Sequence, residues 1–365
     1  MLTAYRIPFP LHEIHEVLAT LGHVKVLKLY HIQRDYSAGS GEKKLTTGYN
    51  SALEEVSILD VPYADVEKDP GLQLLASVLS ERNVKRVFVS CATLLGVMEG
   101  FRRAGKAFNE GLEWLEIVNS ESAHAQSTTR RYDKREACDL IALSLKACAP
   151  GLKRFRFWPT RTLELPQPKP CLHFPSLVDY AGSQDFLCGI RLSHTVKSIW
   201  VPIAVAGPSQ AWEPSSTFTC DLRELNPRTI GILRLAASDV NIERLLGLFP
   251  NLRELSAEPS SPVSKERLLN LGPRLREMKQ LEGLSILRAA GRQRLSVAEQ
   301  RAILSVWKAE CPSLTYVRLT KDTKYVWKGE GRGWEAVVYR EEQGFIPLEG
   351  EPEGLSAEAR AKYFF

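Results

Sequence analysis

Apolar residues recur along this chain in a six-residue pattern, apolar-x-x-apolar-x-apolar. Positions four and six of the pattern are separated by one residue, which is the period of a strand that buries one face. Nine copies fit cleanly, and a tenth is weaker because it ends in Ala257. The copies begin at Val24, Leu53, Val84, Leu112, Leu152, Val196, Ile230, Leu252, Leu281 and Leu314.

The stretches between these predicted strands favour helices. Amphipathic segments lie at 72–80, 136–149, 242–249 and 297–310, and the strand starts are 22 to 44 residues apart. A strand followed by a helix at this period is typical of leucine-rich repeats, in which stacked units bury a continuous core. We therefore predict an α/β, leucine-rich-repeat-like solenoid over 24–320, with irregular repeats and a parallel sheet on its concave face.

Three strands are entered through the same helix exit. The segments CAPGLKRF, LFPNLREL and ECPSLTYV each place proline two residues before the first strand residue, at Leu152, Leu252 and Leu314. Proline ends a helix, so the shared offset supports one repeating register. The alternative is a doubly wound α/β enzyme, which also alternates strands and helices. That fold favours a glycine-rich phosphate loop after an early strand, and the sequence has none.

The predicted repeats are flanked and interrupted by other segments. Residues 1–23 are predicted to cap one end with a helix near 11–21. Residues 321–340 alternate on both sides of Gly-Glu-Gly-Arg-Gly, which predicts a β-hairpin cap, and 341–365 are predicted to be a tail. Polar or proline-rich loops are predicted at 33–50, 119–135, 159–186 and 203–228.

Composition narrows the function classes. The 365 residues include 48 basic and 43 acidic side chains, a balance that does not favour nucleic acid, and the run Arg130, Arg131, Lys134 and Arg135 is better explained as a solvated loop. No apolar run is long enough for a transmembrane helix, and the first residues do not resemble a signal peptide. Seven cysteines without a C-x-x-C pair indicate neither a disulfide nor a zinc framework. We expect a cytoplasmic or nuclear protein without membrane or nucleic-acid partners.

The sequence contains none of the common catalytic motifs. It lacks G-x-S-x-G, H-E-x-x-H and G-x-x-x-x-G-K-S/T. His12 and His15 could share a helix face, but no further ligand is spaced to join them. We therefore expect no enzyme, no cofactor and no metal.

The strand surface holds the candidate binding residues. With positions four and six in the core, positions three, five and seven point to the concave side. Aromatic and arginine residues, which are frequent interface hot spots, are enriched there. The predicted protein-binding residues are Phe88, Trp114, Arg154, Arg156, Trp158, Trp200, Arg234 and Arg318. They favour a protein or peptide partner with acidic or phosphorylated side chains.

Three alternatives stay open from the sequence. The proline-rich insertion could fold over the strand surface and bury the tryptophans. An enzyme site could lie between the long insertions, although no cluster of Asp, Glu or His marks one. The chain could also be a degenerate repeat protein without a preserved partner.

The closing stretch CPSLTYVRLTKDTKYVWKGEGRGWEAV, with Trp327 and Trp334, resembles fungal (basidiomycete) F-box and leucine-rich-repeat proteins. The resemblance is specific over about 310–340 and extends to 20–340 as a repeat pattern. It implies a non-catalytic, intracellular substrate receptor of a cullin–RING ubiquitin ligase, whose F-box grips a Skp1-type adaptor while the repeats hold the substrate.

The resemblance stops at the N-terminus. An F-box has about 45 residues in three helices and opens with something like L-P-x-E-L. Residues 10–14, Pro-Leu-His-Glu-Ile, echo that opening, but the first repeat strand begins at Val24. Either the F-box is lost or the start of the gene model is truncated, so a Skp1-type adaptor is expected only if an F-box exists.

Overall fold

The structure, a computed structural model, describes part of the chain in two compact units. The units are Met1–Val196 and Lys197–Phe365. The described residues are 1–5, 22–30, 52–59, 76–118, 141–143, 145–157, 172–182, 186–187, 190–192, 194–201, 230–237, 242–259, 263–287, 295–320, 323–340 and 344–347. Each unit is a mixed α/β structure built around a mostly or wholly parallel sheet.

The described residues of unit 1 form nine strands and one complete helix. The strands are β1 (Leu2–Tyr5), β2 (Val26–Tyr30), β3 (Glu55–Leu59), β4 (Arg86–Ser90), β5 (Trp114–Val118), β6 (Arg154–Phe157), β7 (Leu172–Phe174), β8 (Asp179–Ala181) and β9 (Ile190–Leu192). The main sheet has the order β1-β2-β3-β4-β5-β6-β8, and every adjacent pair is parallel. β7 and β9 form a separate parallel pair. Helix α1 (Cys91–Ala104) follows β4, and residues 76–79, 141–143 and 145–148 are also helical.

In the part of unit 2 that the structure describes there are eight strands and four helices. The strands are β10 (Ser198–Val201), β11 (Ile232–Ala237), β12 (Glu254–Pro259), β13 (Gly283–Ile286), β14 (Tyr316–Arg318), β15 (Thr323–Trp327), β16 (Trp334–Arg340) and β17 (Gly344–Pro347). The helices are α2 (Ile242–Leu248), α3 (Lys265–Asn270), α4 (Gly272–Leu275) and α5 (Val297–Glu310). β10 to β14 pair in parallel, whereas β14 to β17 pair in antiparallel order.

The two long helices begin and end at residues that satisfy their free backbone groups. Ser90 caps α1 by accepting the N–H of Thr93, and Gly105 ends it in the left-handed conformation at φ 60°. Ser296 and Glu299 form a reciprocal capping box at the start of α5. These caps define the first residue of both helices and the last residue of α1.

The six-residue pattern identifies residues that are buried in the core. The first position of all ten copies is buried, and so are the fourth and sixth wherever their side chains are described. Leu27 and Leu29 on β2 are fully buried, as are Leu255 and Ala257 on β12, the copy that fits least well. The predicted strands are thus confirmed, with positions three and five on the opposite face from the core.

A backbone hydrogen-bond motif recurs at the start of the strands. In unit 1 the carbonyl of Lys25 accepts the N–H groups of Glu54 and Glu55 at 2.8 and 3.0 Å. The carbonyls of Glu54, Lys85, Glu113 and Lys153 do the same toward the next strand, and in unit 2 so do those of Lys197, Gly231, Arg253 and Glu282. These carbonyl hydrogen bonds therefore fix the register between each of these strands and the strand that follows it in the sheet.

Side chains at this second position alternate in charge along unit 1. The series reads Lys25, Glu54, Lys85, Glu113 and Lys153. Lys25 Nζ lies 2.9 Å from Glu54 Oε1, and Lys153 Nζ lies 3.1 Å from Glu113 Oε1. The hydrogen bond from Lys25 lowers the pKa of Glu54. These pairs are solvent-exposed, so each adds little stability by itself.

The sequence missed two strands inside the proline-rich segment, β7 and β8. Residues 159–186 are predicted to form a loop. In the structure, β8 lies within this segment and pairs in parallel with β6 in the main sheet. Leu177 and Tyr180 are fully buried at positions one and four, and Gly182 occupies position six. A methyl group on Gly182 would lie 2.6 Å from the Tyr180 hydroxyl, so the tyrosine fills the space that a sixth-position side chain would take.

Other differences concern the two ends of the chain. Residues 2–5, in the predicted capping segment, form β1, and 344–347, in the predicted tail, form β17. The predicted helix near 11–21 lies outside the described residues, as do the segments 33–50, 119–135 and 203–228. The expected helices at 242–249 and 297–310 are confirmed as α2 and α5, and the described parts of 72–80 and 136–149 include helical turns.

Leu177→Ala tests whether β8 is a genuine repeat strand. Leu177 is buried, so removing its side chain should lower the free energy of unfolding by about 2–5 kcal/mol. Chemical denaturation followed by circular dichroism measures this change. Val178→Ala, at a half-buried neighbouring position, is the matched control, and equal small losses for both variants would contradict the assignment.

Candidate functional site

The strand face of unit 1 presents two rows of side chains. The parallel register aligns the third positions, Val26, Glu55, Arg86, Trp114, Arg154 and Asp179. It also aligns the fifth positions, Lys28, Ser57, Phe88, Glu116, Arg156 and Ala181. Neighbouring residues in a row stand about 4.8 Å apart. Four of the predicted binding residues therefore meet on β4, β5 and β6.

Trp114 is the centre of this group. Its ring centroid lies 5.1 Å from that of Phe88, with the planes tilted by 56°. The guanidinium carbons of Arg154 and Arg156 lie 4.9 and 5.9 Å from the Trp114 centroid, within cation–π distance. Trp114 and Phe88 are both half-buried, and the indole Nε1 has no hydrogen-bond partner among the residues that the structure describes. We call Phe88, Trp114, Arg154 and Arg156 the Trp114 cluster.

Arg156 is held in this cluster by a carboxylate that the sequence did not suggest. Its Nε and Nη2 groups donate to Asp179 Oδ2 at 3.0 and 2.7 Å. The side chains of Arg156 and Asp179 are 30% and 13% exposed, so the pair is largely shielded from water. Asp179 belongs to β8, which the sequence analysis placed in a loop. The charge of Arg156, one of the predicted binding residues, is therefore balanced within the chain.

Arg154 differs from Arg156 in this respect. It is exposed on the strand face, and it forms no ion pair with any residue that the structure describes. Its guanidinium lies against Trp114, which keeps the charge in place while leaving its donors toward solvent. Arg154 is thus the uncommitted cation of the Trp114 cluster.

Unit 2 carries a comparable arrangement on its own strand face. Arg234 donates from Nε and Nη2 to Glu254 Oε1 at 2.9 and 2.7 Å, and its guanidinium carbon lies 5.4 Å from the Trp200 centroid. As with Arg156 and Asp179, an arginine at position five reaches a carboxylate at position three of the next strand. Arg234 is therefore also neutralised within the chain.

Tyr316 and Lys324 complete this second group. Lys324 Nζ lies 4.2 Å from the Tyr316 ring centroid. Burial, and then the charge and hydrogen-bond acceptance of Glu254, raise the pKa of Tyr316 well above its ordinary value. We call Trp200, Arg234, Glu254, Tyr316 and Lys324 the Tyr316 cluster.

The remaining predicted residues have separate outcomes. Arg318 is half-buried on β14, directly opposite Lys324 on β15. Trp158 lies outside the described residues. Glu254 and Tyr316 stand at position three of their repeats but are not among the predicted binding residues. The signal that could have revealed Asp179 is Leu177 and Tyr180, which stand three residues apart as positions one and four of the pattern.

Two observations concern metal-binding and nucleophilic groups among the described residues. Among them, no group of three His, Cys, Asp or Glu side chains could hold a metal ion. Cys148 and Cys311 are buried and free, as expected for small apolar positions before proline. Burial raises the pKa of the Cys148 thiol to about 12, so this thiol stays protonated and is a poor nucleophile.

Two further findings bear on identity. Within the described part of the chain, no helix is long and apolar enough to cross a bilayer. Neither a protein-family model nor a curated protein matches this chain.

A double-mutant cycle with Arg156→Ala and Asp179→Ala tests the shielded ion pair. We expect a coupling free energy of about 1 kcal/mol, because the pair is bidentate at the arginine and mostly removed from water. Denaturant unfolding of the four proteins measures it. The exposed pair Lys25–Glu54 is the comparison and should couple less, whereas equal coupling in both cycles would argue against a shielded pair.

Proposed function

We propose that this chain is a leucine-rich-repeat-like solenoid that binds a protein or peptide partner on its strand face, without catalysis. The solenoid is supported within each unit by the repeated burial of positions one, four and six. It is also supported by the recurring carbonyl that accepts two N–H groups from the next strand. Repeats that contact mainly their neighbours are characteristic of such arrays.

The antiparallel strands at the end of unit 2 support the proposed hairpin cap. β15 pairs with the last parallel strand β14 and then with β16. An unpaired strand edge exposes backbone groups that can pair with other chains. A cap over β14 would protect this edge of the array.

The Trp114 cluster is the observation that carries the binding proposal. An indole that is half-buried, flanked by Phe88 and lying under two guanidinium groups is already ordered before any partner arrives. Pre-ordered side chains lose less conformational entropy on binding. Tryptophan and arginine are also the residue types most often found at energetic centres of protein interfaces.

The chemistry of the proposed partner follows from which charges are free. Arg156 is paired with Asp179, so the partner meets mainly Trp114, Phe88 and the exposed Arg154. Arg154 favours an acidic or phosphorylated side chain beside an apolar or aromatic one. The partner therefore combines a hydrophobic contact with one negative group.

The wider biological role is proposed from the resemblance to fungal F-box and leucine-rich-repeat proteins. In that role the chain is an intracellular substrate receptor of a ubiquitin ligase, in the cytoplasm or nucleus. The buried free thiols of Cys148 and Cys311 accord with a reducing compartment. Recruitment of a Skp1-type adaptor requires an F-box, and the only echo of one lies at 10–14, outside the described residues.

Site-specific photo-crosslinking tests the binding surface directly. A benzoylphenylalanine placed at Phe88 should capture a partner, because this side chain is half-buried beside Trp114. The same probe at Leu143, an exposed apolar residue on a helix of unit 1, is the matched control. Capture is followed by mass spectrometry of the crosslinked protein.

A second substitution makes the result specific to the cluster. Adding Trp114→Ala to the Phe88 probe should reduce the crosslink by at least about tenfold, since hot-spot tryptophans contribute roughly 2 kcal/mol or more. Circular dichroism first confirms that the variant is folded. Equal capture from Phe88 and Leu143, or capture that survives Trp114→Ala, would contradict recognition through this cluster.

A further inference from the structure

One carboxylate lies beside both arginines of the Trp114 cluster. Asp179 is on β8, and the register places it directly next to Arg154 on β6. Its Oδ2 atom accepts hydrogen bonds from Nε and Nη2 of Arg156, two residues further along β6. Asp179 therefore acts on both of the guanidinium groups that lie over the Trp114 ring.

Asp179 offsets a concentration of positive charge. The guanidinium carbons of Arg154 and Arg156 lie 4.9 and 5.9 Å from the centroid of the same indole ring, and two like charges around one ring repel each other. The Asp179 side chain is only 13% exposed, so solvent screens its charge weakly. The two arginines and Asp179 together carry one net positive charge, and Arg154 is the exposed arginine of the two.

The other charges on this strand face leave Arg154 as the available cation. Arg86 on β4 has its Nη1 atom 3.6 Å from Glu55 Oε2. Glu116 on β5 lies beside Arg156 in the fifth row and adds a further negative side chain to the same face. Of the arginines on β4 and β6, Arg154 is the one that forms no ion pair with a described residue.

We infer that Asp179 determines the specificity of the Trp114 cluster, which takes a glutamate or aspartate side chain of the partner in preference to a phosphorylated one. This inference deepens the proposed function and rests on it. A carboxylate carries a single negative charge, and its two oxygens match the guanidinium fork of Arg154. A phosphate group carries about −1.5 to −2 charges at neutral pH and is disfavoured beside a carboxylate such as Asp179.

Removing the negative charge of Asp179 should reverse the preference. Asp179→Asn keeps the size of the side chain and an oxygen that can accept from Arg156, but it leaves the charges of Arg154 and Arg156 without compensation. Clusters of arginines are a recurring means of recognising phosphorylated side chains. The variant should therefore gain affinity for phosphate more than for carboxylate.

The probes are three capped tripeptides that place glutamate, glutamine or phosphoserine between two leucines, which supply the hydrophobic contact. Binding is followed by fluorine NMR of the full chain labelled with 5-fluorotryptophan, and Trp114→Phe identifies the Trp114 resonance. The glutamate peptide should bind the wild type at least about threefold more tightly than the glutamine peptide, because a charged hydrogen bond is stronger than a neutral one. The phosphoserine peptide should bind no more tightly than the glutamate peptide.

The ratio of phosphoserine to glutamate affinity is the decisive quantity in Asp179→Asn. It should rise by at least about tenfold, because Arg156 becomes available to the second negative charge. Glu54→Gln is the matched control, since it also removes a carboxylate from an ion pair, with Lys25 at 2.9 Å, outside the cluster. It should change the ratio by less than about twofold, because that pair is exposed and screened. Equal rises in both variants, or an unchanged ratio in folded Asp179→Asn, would overturn the inference.

The double variant Arg156→Gln with Asp179→Asn tests whether Arg156 is the group that Asp179 restrains. It removes both charges of the pair and leaves Arg154 as the available cation, so the affinity ratio should return to within about twofold of the wild type. A ratio that stays high would contradict the role of Arg156. If Asp179→Asn does not fold, the wild type still decides, because tighter binding of phosphoserine than of glutamate overturns the preference for a carboxylate.

Failure of this inference differs from failure of the proposed function. If no peptide shifts the Trp114 resonance but the Phe88 probe still captures a partner in a Trp114-dependent manner, the carboxylate specificity is wrong and the binding surface stands. If neither experiment shows binding, both are wrong. Circular dichroism of each variant confirms that the fold is retained.

Discussion

In nine of the ten predicted repeats the carbonyl oxygen at the second position accepts two N–H groups from the next strand, and the other features of the strand faces depend on this contact. This contact fixes which residue of one strand lies beside which residue of the next. A shift by one residue would turn every buried position toward water. The same register places Arg156 within reach of Asp179 and Arg234 within reach of Glu254. Core and surface are therefore ordered by one set of backbone hydrogen bonds.

Much of the core could be predicted because burial follows the sequence period. Leu27, Leu115 and Leu284 are buried where the pattern expects them. β8 escaped prediction because its copy ends in glycine, and the missing side chain is replaced by Tyr180 from the same strand. Such a substitution between neighbouring positions satisfies packing but erases the pattern that sequence reasoning uses. β1 and β17 also carry too few patterned residues to be recognised.

The surface was harder to predict than the core. The sequence identifies arginine and tryptophan on the strand face, and the structure groups them around Trp114 and Trp200. The sequence alone could not show that Arg156 and Arg234 are neutralised. Their carboxylate partners are 23 and 20 residues away in the chain, and the pairing depends on the register of the strands. Arg154 stands at position three rather than five and forms no ion pair with a described residue. Interpreting a cationic surface thus requires knowing which charges are already balanced.

The alternating charges at the second position of unit 1 limit how such an array can change in length. Lys25, Glu54, Lys85, Glu113 and Lys153 give each repeat a neighbour of opposite sign. Duplicating or deleting one interior repeat would bring two like charges together, whereas adding or removing two adjacent repeats would preserve the alternation. Because each exposed pair adds little stability, the alternation favours a change by two repeats over a change by one only weakly.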